Sequence, residues 1–143
     1  MFPFAITKTI NMANSNIAYL FVRLGVGISF FGHGLVRMPK LLEFSNWMVD
    51  KFKDSMLPNL LVVPFSYALP VGEFVVGLLL ILGLFTKQTA IGGGVVMLML
   101  IFGSCVIEEW NALPSQMIHI LFIVILLTQI THNQISIDQT IKK

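Results

Sequence analysis

Four apolar stretches, each about as long as a membrane is thick, take up most of this 143-residue chain. They cover residues 16–36, 64–85, 88–107 and 113–130. A helix of roughly 20 residues crosses a hydrocarbon core about 30 Å thick. A helix also pairs its backbone polar groups within the segment, which an open strand in lipid cannot do. The pattern therefore predicts an all-α membrane protein, a bundle of four transmembrane helices in a single membrane domain.

The composition excludes the soluble alternatives. Hydrophobic residues make up 56% of the chain and charged residues 11%, against about 25% charged in ordinary soluble domains. A soluble fold of this size could not cover so much apolar surface with polar groups. The formal net charge of +2 is too small to indicate a nucleic-acid partner. We expect the lipid bilayer as the main partner and no nucleic acid.

The longest connection joins the first two apolar stretches and has a helical pattern of its own. Leu41, Phe44, Met48 and Phe52 recur at helical spacing, while the charged residues fall mostly elsewhere. This pattern predicts an amphipathic helix over residues 40–56 that lies in the membrane interface. The alternative is a structured loop with a few buried anchor residues.

Short polar segments separate the other apolar stretches. Thr86 and Lys87 are expected to form a tight turn, and 108–111 a second one ahead of Pro114. The tail, 131–143, is polar and is expected to lie outside the bilayer. Four spans place both termini on one side, called the terminal side. Lys and Arg number four on each side, and the excess of acidic residues on the opposite side favours cytoplasmic termini in a cell (plasma) membrane.

Two charged residues lie deep inside apolar stretches. Arg23 is in the first and Glu73 in the second. A charge at the bilayer centre costs about 2.5–3.5 kcal/mol or more, so it is seldom left unpaired. Counted from the side opposite the termini, Arg23 is about eleven residues deep and Glu73 about nine, which agree within one helical turn. We therefore expect a buried Arg23–Glu73 ion pair, which either binds a ligand or only fixes the helix register.

Further polar groups gather toward the side opposite the termini. His33 ends the first apolar stretch, and Gln116 and His119 share one face of the fourth. Together with Glu73 they could line a cavity in that half of the membrane. Histidine exchanges protons near neutral pH, so proton transfer is the chemistry that this set favours. Two histidines and carboxylates could also hold a metal, but no compact ligand motif occurs, and no metal site is expected.

The order and spacing of several motifs resemble those of the DoxX family of small membrane proteins. In the first stretch the motifs are Arg23-Leu24-Gly25, Phe30 and Gly32-His33-Gly34, with Arg37 after them. In the second they are Pro70-Val71-Gly72-Glu73, Gly77 and Gly83, followed by Leu84-Phe85-Thr86-Lys87 and Ala90. The resemblance extends over roughly 18–130. It implies a four-helix bundle with an uneven loop after the first helix, and it adds weight to cytoplasmic termini.

The family takes its name from membrane subunits similar to the small subunit of thiosulfate:quinone oxidoreductase, which passes electrons to quinone. The resemblance thus implies a quinone- or lipid-associated subunit of a membrane redox complex, with quinone as the expected cofactor. We expect Glu73, His33 and His119 to be the catalytic, proton-exchanging groups. Arg23, Glu73 and Gln116 are expected to bind the polar head group.

Two other functions stay open on the sequence alone. The first is a non-enzymatic scaffold or assembly subunit, because the glycine-rich helix faces suit contacts with other membrane subunits or with further copies of this chain. The second is a small-solute or proton carrier. Four short helices leave little room for a transport cavity in a monomer, so this function would need an oligomer.

Overall fold

A computed structural model describes the backbone of residues 3–141 and the side chains of residues 13–141. The helices are α1 (Pro3–Arg37), α2 (Leu41–Phe52), α3 (Asn59–Leu82), α4 (Thr86–Val106), α5 (Leu113–Thr128) and α6 (Ile137–Ile141). Short 3-10 helices occupy Met38–Lys40, Trp110–Ala112 and Ile130–His132. The described chain is 87% helical and contains no strand.

The predicted all-α membrane fold is confirmed. Within the described residues, four helical segments are long and apolar enough to cross a membrane: Ala13–Phe52, Asn59–Leu82, Thr86–Val106 and Trp110–Thr128. The first of them joins α1 and α2 through the 3-10 helix. Large apolar side chains such as Phe21, Leu60 and Phe102 are mostly exposed on the outside of the bundle. Such a surface suits lipid rather than water.

The four long helices form a closed ring in which α1 contacts α3, α3 contacts α4, α4 contacts α5, and α5 returns to α1. Their shared core consists of buried side chains from all four helices: Tyr19, Val26, Phe30, Leu80, Ala90, Met97, Ile123 and Leu126. The ring leaves the polar side chains of the inner faces enclosed between helices.

Two glycines fix how α1 and α3 meet. A Cβ atom added to Gly77 would lie 2.5 Å from the Cα of Phe31, and one added to Gly34 would lie 2.7 Å from the Cα of Phe74. The rings of Phe31 and Phe74 pack with their centroids 4.9 Å apart. The helices are therefore antiparallel and in backbone contact, with Glu73 level with the last turns of α1.

The connection between α3 and α4 differs from the predicted turn at Thr86 and Lys87, because Thr86 already begins α4. The chain reverses instead at Gly83, which has a left-handed φ of 65°. The N–H of Leu84 donates to the carbonyl of Leu79, and that of Gly83 to Leu80, as in a Schellman C-cap. Glycine adopts this conformation without the strain that a Cβ would add.

The connection between α4 and α5 agrees more closely with the turn predicted at 108–111. Glu108 has a positive φ of 56°, and the chain turns there before the short helix Trp110–Ala112. Pro114 stands in the first turn of α5, as predicted. By contrast, α3 begins at Asn59, ahead of the predicted 64, and includes Pro64 and Pro70 in its length.

The amphipathic segment is a helix, α2, and not a loop. It buries Ser45 and Met48, and Met48 belongs to a second apolar cluster with Val62 and Leu69 of α3. The hydroxyl of Ser66 donates to that of Ser45 at 2.7 Å. One side of α2 is thus committed to α3. Its position in the membrane interface stays a prediction.

The predicted polar tail folds back onto the terminal end of the bundle. Asn133 is buried, and α6 follows it. The carboxylate of Asp138 accepts hydrogen bonds from the backbone N–H groups of Phe85 and Thr86, at 2.7 and 2.8 Å. The last two residues of the predicted tail, 142–143, lie outside the described residues.

Candidate functional site

A buried ion pair joins the end of α1 to the middle of α3. The Nη1 of Arg37 donates to both carboxylate oxygens of Glu73, at 2.8 and 2.6 Å. The Glu73 side chain is 3% exposed and that of Arg37 is 27% exposed. The guanidinium carbon of Arg37 also lies 4.8 Å from the ring centroid of Phe44 in α2, a cation–π contact. Arg37 therefore ties three helices together and remains partly accessible.

This pairing corrects the predicted Arg23–Glu73 ion pair. The depth argument took Gly34 and Pro64 as the helix ends, whereas α1 continues to Arg37 and α3 starts at Asn59 and extends past α1 alongside α2. With Phe74 beside Gly34, Arg23 and Glu73 differ in level by roughly 15–20 Å along the bundle. They belong to opposite halves of the protein.

Arg23 is bound instead by the folded-back tail. Its Nη1 donates to the Oδ1 of Asn133 at 2.6 Å, and the amide nitrogen of Asn133 donates to the hydroxyl of Thr86 at 2.9 Å. Arg23 and Asn133 are both 3% exposed. A Cβ on Gly83 would lie 2.8 Å from the guanidinium carbon of Arg23. This close-packed cluster joins α1, the α3–α4 turn and the tail. Its contacts hold these three parts of the fold together.

His119 is held in a defined orientation by two hydrogen bonds. Its Nδ1 lies 2.8 Å from the carbonyl oxygen of Ser115, and its Nε2 lies 2.8 Å from the hydroxyl of Ser29. A carbonyl only accepts, so Nδ1 must carry the hydrogen, and Nε2 of the neutral ring accepts from Ser29. If the ring takes a second proton, the Ser29 hydroxyl can turn and accept. His119 can therefore gain or lose a proton without losing its partners.

Gln116 lies one turn before His119 on α5. Its Nε2 donates to the hydroxyl of Ser104 at 2.9 Å, while its Oε1 is buried without a hydrogen-bond partner. Because a serine hydroxyl can donate or accept, the amide can bond Ser104 through either atom. The other atom then stays free for a ligand.

These groups surround one cavity of about 310 Å³ between α1, α2, α3, α4 and α5. Its polar lining comes from His33, Arg37, Glu73, Ser104, Glu109, Ser115, Gln116 and His119, and its apolar lining includes Phe44, Trp47, Met97 and Leu100. The structure thus brings together four of the residues singled out in the sequence, namely His33, Glu73, Gln116 and His119. Arg23 is not among them. Within the described residues, no group of three His, Cys, Asp or Glu side chains could hold a metal ion.

Sequence reasoning named Arg37 only as part of the family motif and did not place it in the site, because it follows the first apolar stretch. One signal was available: Arg37 stands four residues after His33, so α1 carries both on one face if it continues that far. Ser29 and Ser104 were also missed. A lone serine in an apolar helix gives no indication of its partner.

The fold and the cavity define a class: a four-span helical membrane protein with a polar cavity in the half of the bundle opposite its termini. The DoxX family model matches residues 18–104, more than half of the chain, and the chain belongs to the DoxX family. The match includes Arg37 and Glu73 but ends before Gln116 and His119. Comparison with curated proteins and with solved structures gives no match.

Proposed function

We propose that this DoxX-family protein is a quinone-binding subunit of a membrane redox complex, and that the cavity beside Glu73 holds the quinone ring. The observation that carries the proposal is the lining of that cavity. Aromatic and aliphatic walls enclose a small set of hydrogen-bonding groups, the combination that binding sites for small apolar molecules show. A quinone ring needs both, because its two carbonyl oxygens accept hydrogen bonds and its faces are apolar.

Donors for the carbonyl oxygens are present at two places. Arg37 uses only Nη1 for Glu73, and its partly exposed guanidinium has further N–H groups. The Gln116 amide can turn its nitrogen toward a ligand while it accepts from Ser104. His33, whose side chain is exposed at the cavity, provides a third polar group.

Reduction of a quinone to a hydroquinone takes two electrons and two protons. In this proposal a partner redox protein supplies the electrons, and side chains of the cavity deliver the protons. His119 is suited to that role by its fixed Nδ1–H and its exchangeable Nε2. Glu73, with His33, would receive protons from the side opposite the termini. Arg23, which was expected to bind the head group, has no part in this site.

A binding experiment tests the proposal. Trp47 lines the cavity and Trp110 does not, so a Trp110→Phe protein in mild detergent reports on the cavity through Trp47 fluorescence, which quinones quench. We expect saturable quenching by a tailless dimethoxybenzoquinone. Glu73→Gln should weaken it about tenfold, because Arg37 loses its partner and shifts.

Glu43→Gln is the matched control, since Glu43 is exposed on α2 and does not line the cavity. It should bind like the parent protein. Linear, non-saturating quenching in the parent, or equal affinities for Glu73→Gln and Glu43→Gln, would count against a quinone site at Glu73. Mass spectrometry of natively purified protein should in addition find bound quinone.

A scaffold function is the second candidate, and one observation favours it. An added Cβ would meet nothing within 4 Å at Gly25, Gly32, Gly72 or Gly92. Glycines with open space beside them let another membrane helix approach closely. If Gly25→Leu or Gly92→Leu released co-purifying proteins while Glu73→Gln changed neither quinone content nor respiration, the scaffold would be the better account.

A further inference from the structure

A second, wholly apolar cavity of about 300 Å³ adjoins the quinone cavity. It lies between α2, the start of α3 and the end of α4, and we call it the α3–α4 cleft. Its lining consists of Met48, Phe52, Leu57, Leu61, Val62, Phe65, Met99, Phe102 and Gly103. None of these side chains can form a strong hydrogen bond, so the cleft suits a hydrocarbon.

The cleft and the quinone cavity adjoin each other and have five lining residues in common. Met48, Phe52, Phe65, Met99 and Gly103 line both of them. At the junction a Cβ on Gly103 would lie 3.2 Å from Cζ of Phe52. The ring of Phe52 therefore packs over Gly103 between the two spaces, and a chain passes from one to the other only when this ring turns.

The cleft also reaches the lipid-facing surface. Leu61 and Phe102 line it and are each 58% exposed. The exposed faces of α3 and α4 are apolar membrane-spanning surfaces. Once the Phe52 ring turns aside, a molecule held in the quinone cavity can extend sideways into the bilayer without passing a polar group.

We infer that the α3–α4 cleft is the path by which the isoprenoid tail of a bound quinone leaves the cavity and enters the lipid. The inference rests on the proposed quinone site and adds to it a lateral route and a long-chain substrate class. A tail gains little free energy when it moves from lipid into an apolar groove, since both are equally apolar. The cleft acts by leaving room for the tail. A larger side chain in the cleft should therefore exclude long-chain quinones, because the side chain and the tail would occupy the same space.

Leu61→Phe narrows the cleft at a residue that lines the cleft and not the quinone cavity. Leu60→Phe is the matched control, because Leu60 is the neighbouring residue of α3, is 84% exposed and lines neither space. Both variants are made in the Trp110→Phe protein and titrated with a long-chain ubiquinone and with the tailless quinone, using Trp47 quenching. Detergent-exchange stability of each variant is measured in parallel.

We expect Leu61→Phe to weaken binding of the long-chain quinone about tenfold, as overpacking does, and to leave the tailless quinone within about twofold of the parent. Leu60→Phe should bind both as the parent does. If Leu61→Phe bound both quinones normally, or lost both equally while staying folded, the tail route would be wrong and the quinone site would stand. If the parent bound neither quinone, the proposed function itself would fail, and this inference with it.

A bilayer phospholipid is the competing occupant of the cleft. Lipid extraction from the same purified variants separates the two. A loss of bound phospholipid from Leu61→Phe, with long-chain quinone binding unchanged, would overturn the assignment to a quinone tail.

Discussion

The contact between α1 and α3 at Gly77 determines where Arg37 meets Glu73, and a single methyl group tests it. A Cβ at position 77 would lie 2.5 Å from the Cα of Phe31 and 2.7 Å from the carbonyl oxygen of Gly27, where ordinary contacts measure 3.4–4 Å. Both obstacles are backbone atoms, so neither can turn away. In Gly77→Ala the two helices must therefore separate by roughly 1 Å, which close-packed interiors resist.

Overpacking of this kind costs about 1–3 kcal/mol. We expect Gly77→Ala to reduce the free energy of unfolding by that amount, measured by titrating the protein in mild detergent with sodium dodecyl sulfate. Gly72→Ala is the matched control. It lies on the same helix, and its added Cβ meets nothing within 4 Å, so its stability should change by less than about 0.5 kcal/mol. Equal stabilities for the two variants would refute the close α1–α3 contact and the register built on it.

Other predictions concern the two buried charges. Arg37→Gln should cost about 3 kcal/mol of stability, because it leaves the buried carboxylate of Glu73 unpaired. The double variant Arg37→Gln with Glu73→Gln should cost less than Arg37→Gln alone. If the losses of the two single variants simply added in the double variant, as measured by sodium dodecyl sulfate titration, the ion pair would be contradicted. Asn133→Ala should cost about 1.5–3 kcal/mol, since Arg23 loses a 2.6 Å hydrogen bond. Asn133→Asp keeps an acceptor and should retain most of the stability. Gly83→Ala should cost about 1–2 kcal/mol through its positive φ and its contact with Arg23, and an unchanged unfolding midpoint would argue against that contact.

The four membrane-spanning helices were predictable because lipid imposes a length and a polarity that any sequence must show. The helical nature of α2 was predictable for a similar reason, since its apolar residues recur at helical spacing. Helix ends were less predictable. Pro64 looks like a helix start, yet Asn59 begins α3, because proline is tolerated inside membrane helices when neighbouring groups satisfy the freed carbonyl.

The grouping of His33, Glu73, Gln116 and His119 could be anticipated because polar side chains in membrane-spanning helices face inward, away from lipid. The hydrogen-bond and ion-pair partners of these residues could not be predicted. Whether Glu73 meets Arg23 or Arg37 depends on the axial register of α1 against α3, and that register is fixed by backbone contacts at glycines. A glycine in a membrane helix indicates that another helix packs closely against it, but it does not indicate which residue of that helix it contacts. The hydrogen bond from Arg23 to Asn133 could not be predicted either, since nothing in the sequence of a polar tail indicates that it folds back onto a buried arginine.

The central claim is that the cavity beside Glu73 binds a quinone ring, and photolabelling of the protein in its native membrane tests it most directly. A photoreactive azidoquinone is irradiated with the membranes, and labelled peptides are identified by mass spectrometry, with and without an excess of unlabelled quinone. The account predicts label on cavity residues such as Trp47, Met97 and His119 that the unlabelled quinone suppresses. Label confined to lipid-facing residues such as Phe21 or Leu60, or label that unlabelled quinone leaves unchanged, would contradict it.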